Sequence, residues 1–535
     1  MSRSSREAPP RDAGRAGSAS QRLIARPLGG RLVVAGVFVA VLASTVETAS
    51  ADTALIEAIK KQDRRAALAL IRQRAPVLQT APDGTTALHW AVDVGDLDLV
   101  QALLRAGATN AANRYGTTPL ELAAENGNAR IIDALLQGGA DAKGAMPEGE
   151  TVLMTASRTG NVEAMRLLLA RGADANAQER WFGETALMWA AAENHASAVK
   201  LLLEAGATVD HPGKKMEFAR KVAGQTTLPV GGMTPLMYAA RAGALDGAQA
   251  LIEGGAKLDV QDPDGTTATI LAIINGHYDV AALLVDKGAN PNLADSAGMA
   301  ALYAAVDMST LPFMHGRPYP KPSGKLSIAD FVQVVLAHGA DVNQKLKSPL
   351  LRRHNSTSTQ SLGEGTTPLL RAAASGDVAM MRILLKAGAD PKAKQKNGNT
   401  MLMLASGFGR RGDHNADALE FEKGTPEQLL AAVKVCVEEL ELDPNTANDQ
   451  GDTALHVAHS GDIVRYLTDH GAKVETKNKR GQTPLAIALS RIDRSNRQLR
   501  PDVVAVLKTL DNGATPPAAA PKPFNGPAAR QSTVQ

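Results

Sequence analysis

From Gly84 onward the chain repeats itself, and that period restricts it to folds made by stacking one small unit. A glycine followed two residues later by Thr, or by Ala at position 300, and four later usually by Leu, recurs along the chain. It stands at Gly84, Gly116, Gly149, Gly183, Gly232, Gly265, Gly298, Gly365, Gly398, Gly451 and Gly481. Five of the ten intervals are 32 or 33 residues. A unit this short cannot bury an apolar face alone, so each must pack on its neighbours. Composition agrees: 44% of residues are apolar but only 3% aromatic, which suits many small helices better than one large mixed core.

Each recurring residue has a physical reason. Thr118 or Thr367 can cap a helix by accepting from a free backbone N–H, and Pro119 or Pro368 follows where no donor is missed. Ala123 and Ala124 let that helix approach its partner closely. Gly127 or Gly376 can end it in the left-handed conformation. Leu135 and Leu136, or Leu384 and Leu385, supply the apolar stripe of a second helix, and the Gly-Ala after it turns the chain into a hairpin loop.

The stretches GTTPLELAAENGNARIIDALLQGGAD and GTTPLLRAAASGDVAMMRILLKAGAD resemble the ankyrin-repeat consensus, and such repeats cover roughly 85% of the chain. The resemblance implies an all-α ankyrin-repeat solenoid: stacked helix-turn-helix repeats with finger-like hairpin loops. About eleven repeats are expected over 83–514, after N-terminal capping helices at 52–82. A Pro/Ala-rich tail, 515–535, lacks apolar periodicity and is expected to be disordered. Where the period lengthens, the surplus reads as insertions near 211–230, 308–325, 344–362 and 406–428.

The first residues read as an address. Arg22, Arg26 and Arg31 precede an apolar run from Leu32 to about Ser44, followed by Ala49 and Ala51 in an A-x-A pattern. Residues 1–51 are therefore expected to be a signal peptide of the general secretory type, cleaved before Asp52, as in an exported bacterial protein. A periplasmic or secreted location follows. The alternative is an inner-membrane anchor left by an uncleaved signal, although the run is shorter than the ~20 residues of a span.

Chemistry is sparse. Residues 1–51 hold seven Lys/Arg against three Asp/Glu, which leaves 51 against 52 in the remainder and no basic field for nucleic acid. Cys436 stands alone, so no internal disulfide forms, and no zinc-spaced Cys/His cluster is present. No Ser/His/Asp set, H-E-x-x-H or P-loop occurs, and neither enzyme activity nor a cofactor or metal is expected. GFGRRG, Gly407–Gly412, follows a helix instead of a strand and reads as a loop; the Arg411-Gly412-Asp413 triplet is too short to mark adhesion. His89 and His456 occupy the His position of the ankyrin T-P-L-H motif, which implies a structural bond to neighbouring finger backbone. Met154, Met188, Met237 and Met403 occupy the same position and read as core filling, not copper ligands, because stacked helices lie ~8–10 Å apart.

Binding is the remaining task. The resemblance places it on the fingertips and the exposed ends of the first helices, a concave strip. Here that strip holds Arg114, Tyr115, Trp181 and Phe182 on fingers, with Asp93, Glu125, Arg158, Glu193 and Arg241 on helices. Exposed aromatics and Arg are typical interface anchors. The bland reading has Trp181 and Phe182 packing under the 211–230 insertion instead. The expected function is a non-catalytic scaffold for an unknown protein partner. The alternatives are a protective or organising partner of a periplasmic enzyme and, more distantly, an enzyme using a loop insertion. The basic loop with Lys345, Lys347, Arg352 and Arg353 is a second candidate surface.

Overall fold

Helix pairs follow one another along the whole described chain, which in this computed structural model comprises residues 54–215, 231–310, 322–348, 362–407, 424–491 and 500–511. Among these residues there are twelve pairs and no strand, only isolated bridges such as Thr80–Thr86 and Gln261–Thr267. The first pair is Ala54–Lys60 and Arg64–Arg72; each later pair begins just after one repeat glycine, so repeats 1 to 11 are numbered from Gly84. First helices pack on first helices and second on second, and a finger hairpin joins each repeat to the next. The expected leader with Ala49, Ala51 and Asp52, the tail 515–535, and most of each of the four expected insertions lie outside the described residues.

The local signals act as their chemistry requires. Thr118 caps Pro119–Glu125 by accepting from Glu121 N–H at 3.1 Å, and Thr367 caps Pro368–Ala374 by accepting from Leu370 N–H at 3.3 Å. Four second helices start on an Asp or Asn, Asp96, Asn128, Asn161 and Asp377, that accepts from a backbone N–H of the first turn, whereas those of repeats 4 to 6 start on His195, Ala244 and His277 with no side-chain cap. Gly127 and Gly376 hold φ of 65° and 69°, a region open to glycine at little cost.

Packing follows the same repeat. Ala123, Ala124 and Leu135 are fully buried, Leu136 nearly so, while Leu385 is only partly buried against the core. His89 and His456 are buried, and each Nε2 faces a finger carbonyl, Thr117 O at 3.0 Å and Gln482 O at 3.2 Å. A carbonyl only accepts, so Nε2 carries the proton and Nδ1 receives Thr86 or Thr453 N–H. Burial holds both imidazoles below their usual pKa. Met154 and Met237 take the near half of that role, their sulfurs accepting from Thr151 and Thr234 N–H at 3.4 and 3.5 Å.

Two late repeats depart from the pattern. In repeat 9 the second helix, Pro426–Lys434, runs into a π-helical turn, Val435–Glu439, and Glu441 takes the left-handed position (φ 49°) that glycine fills after the second helices of repeats 1 to 8 and 10. Repeat 10 spans only 30 residues to the next glycine, and its first helix shrinks to Ala454–Val457. Cys436 sits buried in the π turn, where desolvation pushes its thiol up to about 12.

Candidate partner-binding surface

Two hydrogen-bond ladders join the fingers. At the tips, Arg114 N–H donates to Asp83 O, Arg180 to Glu148 O, Lys214 to Phe182 O and Ser296 to Asp264 O, at 2.6–2.9 Å, and fingers 7 to 11 continue the series. It stops where the donor is a proline: Pro147 in finger 3 and Pro263 in finger 6 have no N–H. At the finger base, a side chain four residues after the left-handed residue that ends the second helix, glycine or in repeat 9 Glu441, bonds the next finger in several repeats. Asn176 gives Nδ2–H to Gly206 O and takes Thr208 N–H, at 2.9 and 2.8 Å; Asn292, Asn343 and Asn445 do the same. Asp210 and Asp259 make the accepting bond alone.

Finger 4 carries the larger of two exposed fingertip aromatics, Trp181 and Tyr115. Trp181 is 67% exposed, yet its N–H and that of Phe182 both donate to the buried Glu179 carboxylate at 2.6 Å, and Glu184 N–H donates to it at 2.9 Å. The tip is thus fixed from below while the indole faces solvent; Phe182 is half-buried. In finger 2, Tyr115 is 70% exposed, Arg114 is exposed, and Asn113 Oδ1 accepts from Tyr115 and Thr117 N–H.

The charged residues at the first-helix ends divide into two kinds. Asp93 and Glu125 are exposed, as is Glu193, which lies one residue beyond its helix as the C-cap. Arg158 and Arg241 are half-buried and engaged: Arg158 lies 5.3 Å from the Trp189 ring centre and Arg241 4.8 Å from that of Tyr238. Those rings belong to a buried group centred on Glu184, whose carboxylate accepts from Trp189 Nε1 at 2.9 Å and Tyr238 OH at 2.7 Å, tying repeats 4 and 5 together. Trp189, Tyr238, Glu179 and Glu184 were not singled out from sequence. The signal was available: Trp90, Trp189 and Tyr238 all stand six residues after their repeat glycine.

Two more buried networks cross repeat boundaries. Between repeats 2 and 3, the Thr155 hydroxyl lies against Glu121 and, at 2.9 Å, against Glu150. One hydroxyl has one proton, so it can donate to only one of the two carboxyls; the other must bring its own. Burial, opposed by Thr155, pushes Glu121 up to about 7, so it is the natural carrier of that proton. Between repeats 7 and 8, Arg371 Nε bonds Asp307 Oδ1 at 2.6 Å with both side chains buried. An open cleft of about 600 Å³ lies between second helices of repeats 4 and 5, bridged by Lys200 and Glu253 at 2.9 Å. No cluster of three metal-ligating side chains occurs, and no helix is long and apolar enough to cross a membrane, among the described residues.

The family profile described as Ankyrin repeats (3 copies) matches residues 55–145, 122–213, 219–295, 236–311, 326–415 and 428–515. The chain belongs to the ankyrin repeat family. This ankyrin repeat protein is 36% identical over 236 residues to the B-cell lymphoma 3 protein homolog of Mus musculus, covering 43% of the chain and 48% of that protein. It is 32% identical over 277 residues to Ankyrin repeat and SOCS box protein 16 of Mus musculus, covering 47% and 53%. It is 27% identical over 289 residues to Rabankyrin-5 of Homo sapiens, covering 50% and 24%. The chain therefore spans between about a quarter and about half of these relatives. The crystal structure of the human ASB11 ankyrin repeat domain is 28% identical, covering 44% of the chain and 98% of that domain, with a TM-score of 0.37. An ankyrin repeat stack is a scaffold for protein–protein interaction.

Proposed function

We propose that this ankyrin repeat protein is an exported, non-catalytic scaffold that grips one partner protein through fingers 2 to 4 and the first-helix ends of repeats 1 to 5. The observation that carries this reading is Trp181, a solvent-facing indole on a tip whose backbone is bonded to a buried carboxylate. An aromatic anchor held in place loses little freedom on binding, which is what makes such residues dominate interfaces. Tyr115 and Arg114 extend the strip toward repeat 2 and Arg241 toward repeat 5, with Glu193 in the same repeat as Trp181.

Truncating Trp181→Ala should weaken partner capture from periplasmic extract by ~2 kcal/mol or more, about thirtyfold. Thermal unfolding should be unchanged, since no buried contact is lost. A destabilised variant would place the indole in the fold's own packing and move the binding surface elsewhere. Export rests on the leader pattern of residues 22–51. N-terminal sequencing of the native protein should begin near Asp52, and recovery of intact residues 1–51 in the membrane fraction would make the leader an anchor.

A further inference from the structure

The junction between fingers 2 and 3 lacks both ladders. Ala111 stands where Asn176, Asn292, Asn343 and Asn445 each make two bonds, and Pro147 stands where a tip N–H would donate. Gly139 C=O and Asp141 N–H, the counterparts of Gly206 C=O and Thr208 N–H, bond no group among the described residues. A groove of about 440 Å³ opens there, lined by Ala111, Ala112, Gly139 and Asp141, with Glu121 and Met146 also bordering it. The next junction also lacks the Asn, but there the Lys143 stem lies over Gly172, 3.3 Å from the place a Cβ would take.

We propose that this groove receives the carboxamide of an Asn or Gln side chain from an extended segment of the partner, its C=O taking Asp141 N–H and its NH2 donating to Gly139 C=O. The chemistry selects that group. A carboxamide presents donor and acceptor on one edge, as Asn176 does two fingers on. A trans peptide unit points its N–H and C=O in opposite directions and cannot satisfy both. A carboxylate only accepts, which is why Asp210 and Asp259 make a single bond each at the same position. An ammonium only donates. The short side chains of Ala111 and Ala112 leave room that a long residue at 111 would fill.

The assignment rests on the fingers being protein-binding, and its first test uses no partner. Propionamide, the side chain of Gln in isolation, titrated into the full chain should give a saturable shift of the Asp141 amide resonance. N,N-dimethylpropionamide, which lacks the donor, should not. In Ala111→Asn the intramolecular carboxamide should occupy the site and abolish the shift, and Asn176→Ala should create a new response at Thr208. Asp141 unmoved by propionamide in the wild type, moved equally by the dimethyl compound, or moved equally in Ala111→Asn would each overturn the assignment. Ala111→Asn should also lower partner capture. Capture that is unchanged in Ala111→Asn but lowered in Trp181→Ala overturns the groove and leaves the scaffold reading standing.

Discussion

Junction 7/8 and junction 2/3 solve the same packing problem with opposite means. At 7/8, Lys347 N–H reaches Ala297 O at 2.8 Å, Asn292 makes both base bonds, and Arg371 and Asp307 form a buried ion pair. At 2/3 neither ladder is present, and the buried polar contact is a carboxyl–hydroxyl–carboxyl chain that needs one shared proton. Both junctions nonetheless stack first helix on first helix. The helices thus hold the repeats together, and the ladders fix only the fingers. At 2/3, where both ladders are missing, the backbone groups of Gly139 and Asp141 that the base ladder would have used stay open to another molecule.

The largest expected effect lies at 7/8. Arg371→Met removes the cation that faces the buried Asp307 carboxylate and should cost about 3–5 kcal/mol at neutral pH. Hydrogen exchange should rise first in repeats 7 and 8, and the loss should shrink in acid, where Asp307 is neutral. A uniform rise out to repeat 2 would contradict a stack in which each repeat touches only its neighbours.

At 2/3 the expected effect depends on pH. Burial raises Glu121 from 4.5 to about 7, so the folded state holds its proton more tightly than the unfolded chain. That contribution is fully present below 4.5 and is lost as pH rises through about 7. Arg158 favours the ionised form, while Glu150 and Glu125 oppose it. Glu121→Gln keeps a donor for Thr155 and has no charge to gain. It should match the wild type near pH 4 in urea unfolding and exceed it by about 3 kcal/mol near pH 8. A constant difference across that range would mean that burial does not hold a proton on Glu121. The smallest effect is the gain from Ala111→Asn, about 1 kcal/mol for the added base bonds; no gain would mean that the groove cannot seat a carboxamide.

Much of the fold was legible because each helix start and stop is local chemistry: Thr118 before Pro119, Asn128 at the second start, Gly127 at the turn. The shortened first helix of repeat 10 was foreshadowed by its 30-residue interval, whereas the π turn at Val435–Glu439 was not, since no residue type marks it. For the candidate surface, Trp181 and Tyr115 were readable as aromatics at fingertips. The partners of Arg158 and Arg241 were not, because cation–aromatic contacts depend on how neighbouring residues and repeats overlap. Glu121 was equally hidden: it occupies the His position of the motif, and only the stacked structure brings Thr155 and Glu150 to it.

Pro147 and Pro263 cut the row of tip bonds twice, leaving three runs: fingers 1–2, 3–5 and 6–11. In mechanical terms the tip row is a strap laid along a pile of blocks, and a severed strap carries no tension across the cut. Bending that spreads the fingers therefore opens first at these two points, because elsewhere it must stretch an N–H to carbonyl bond. The longest unbroken strap lies at the C-terminal end and the shortest at the N-terminal end. Compliance is thus graded along the molecule by two imino acids that leave the helices untouched.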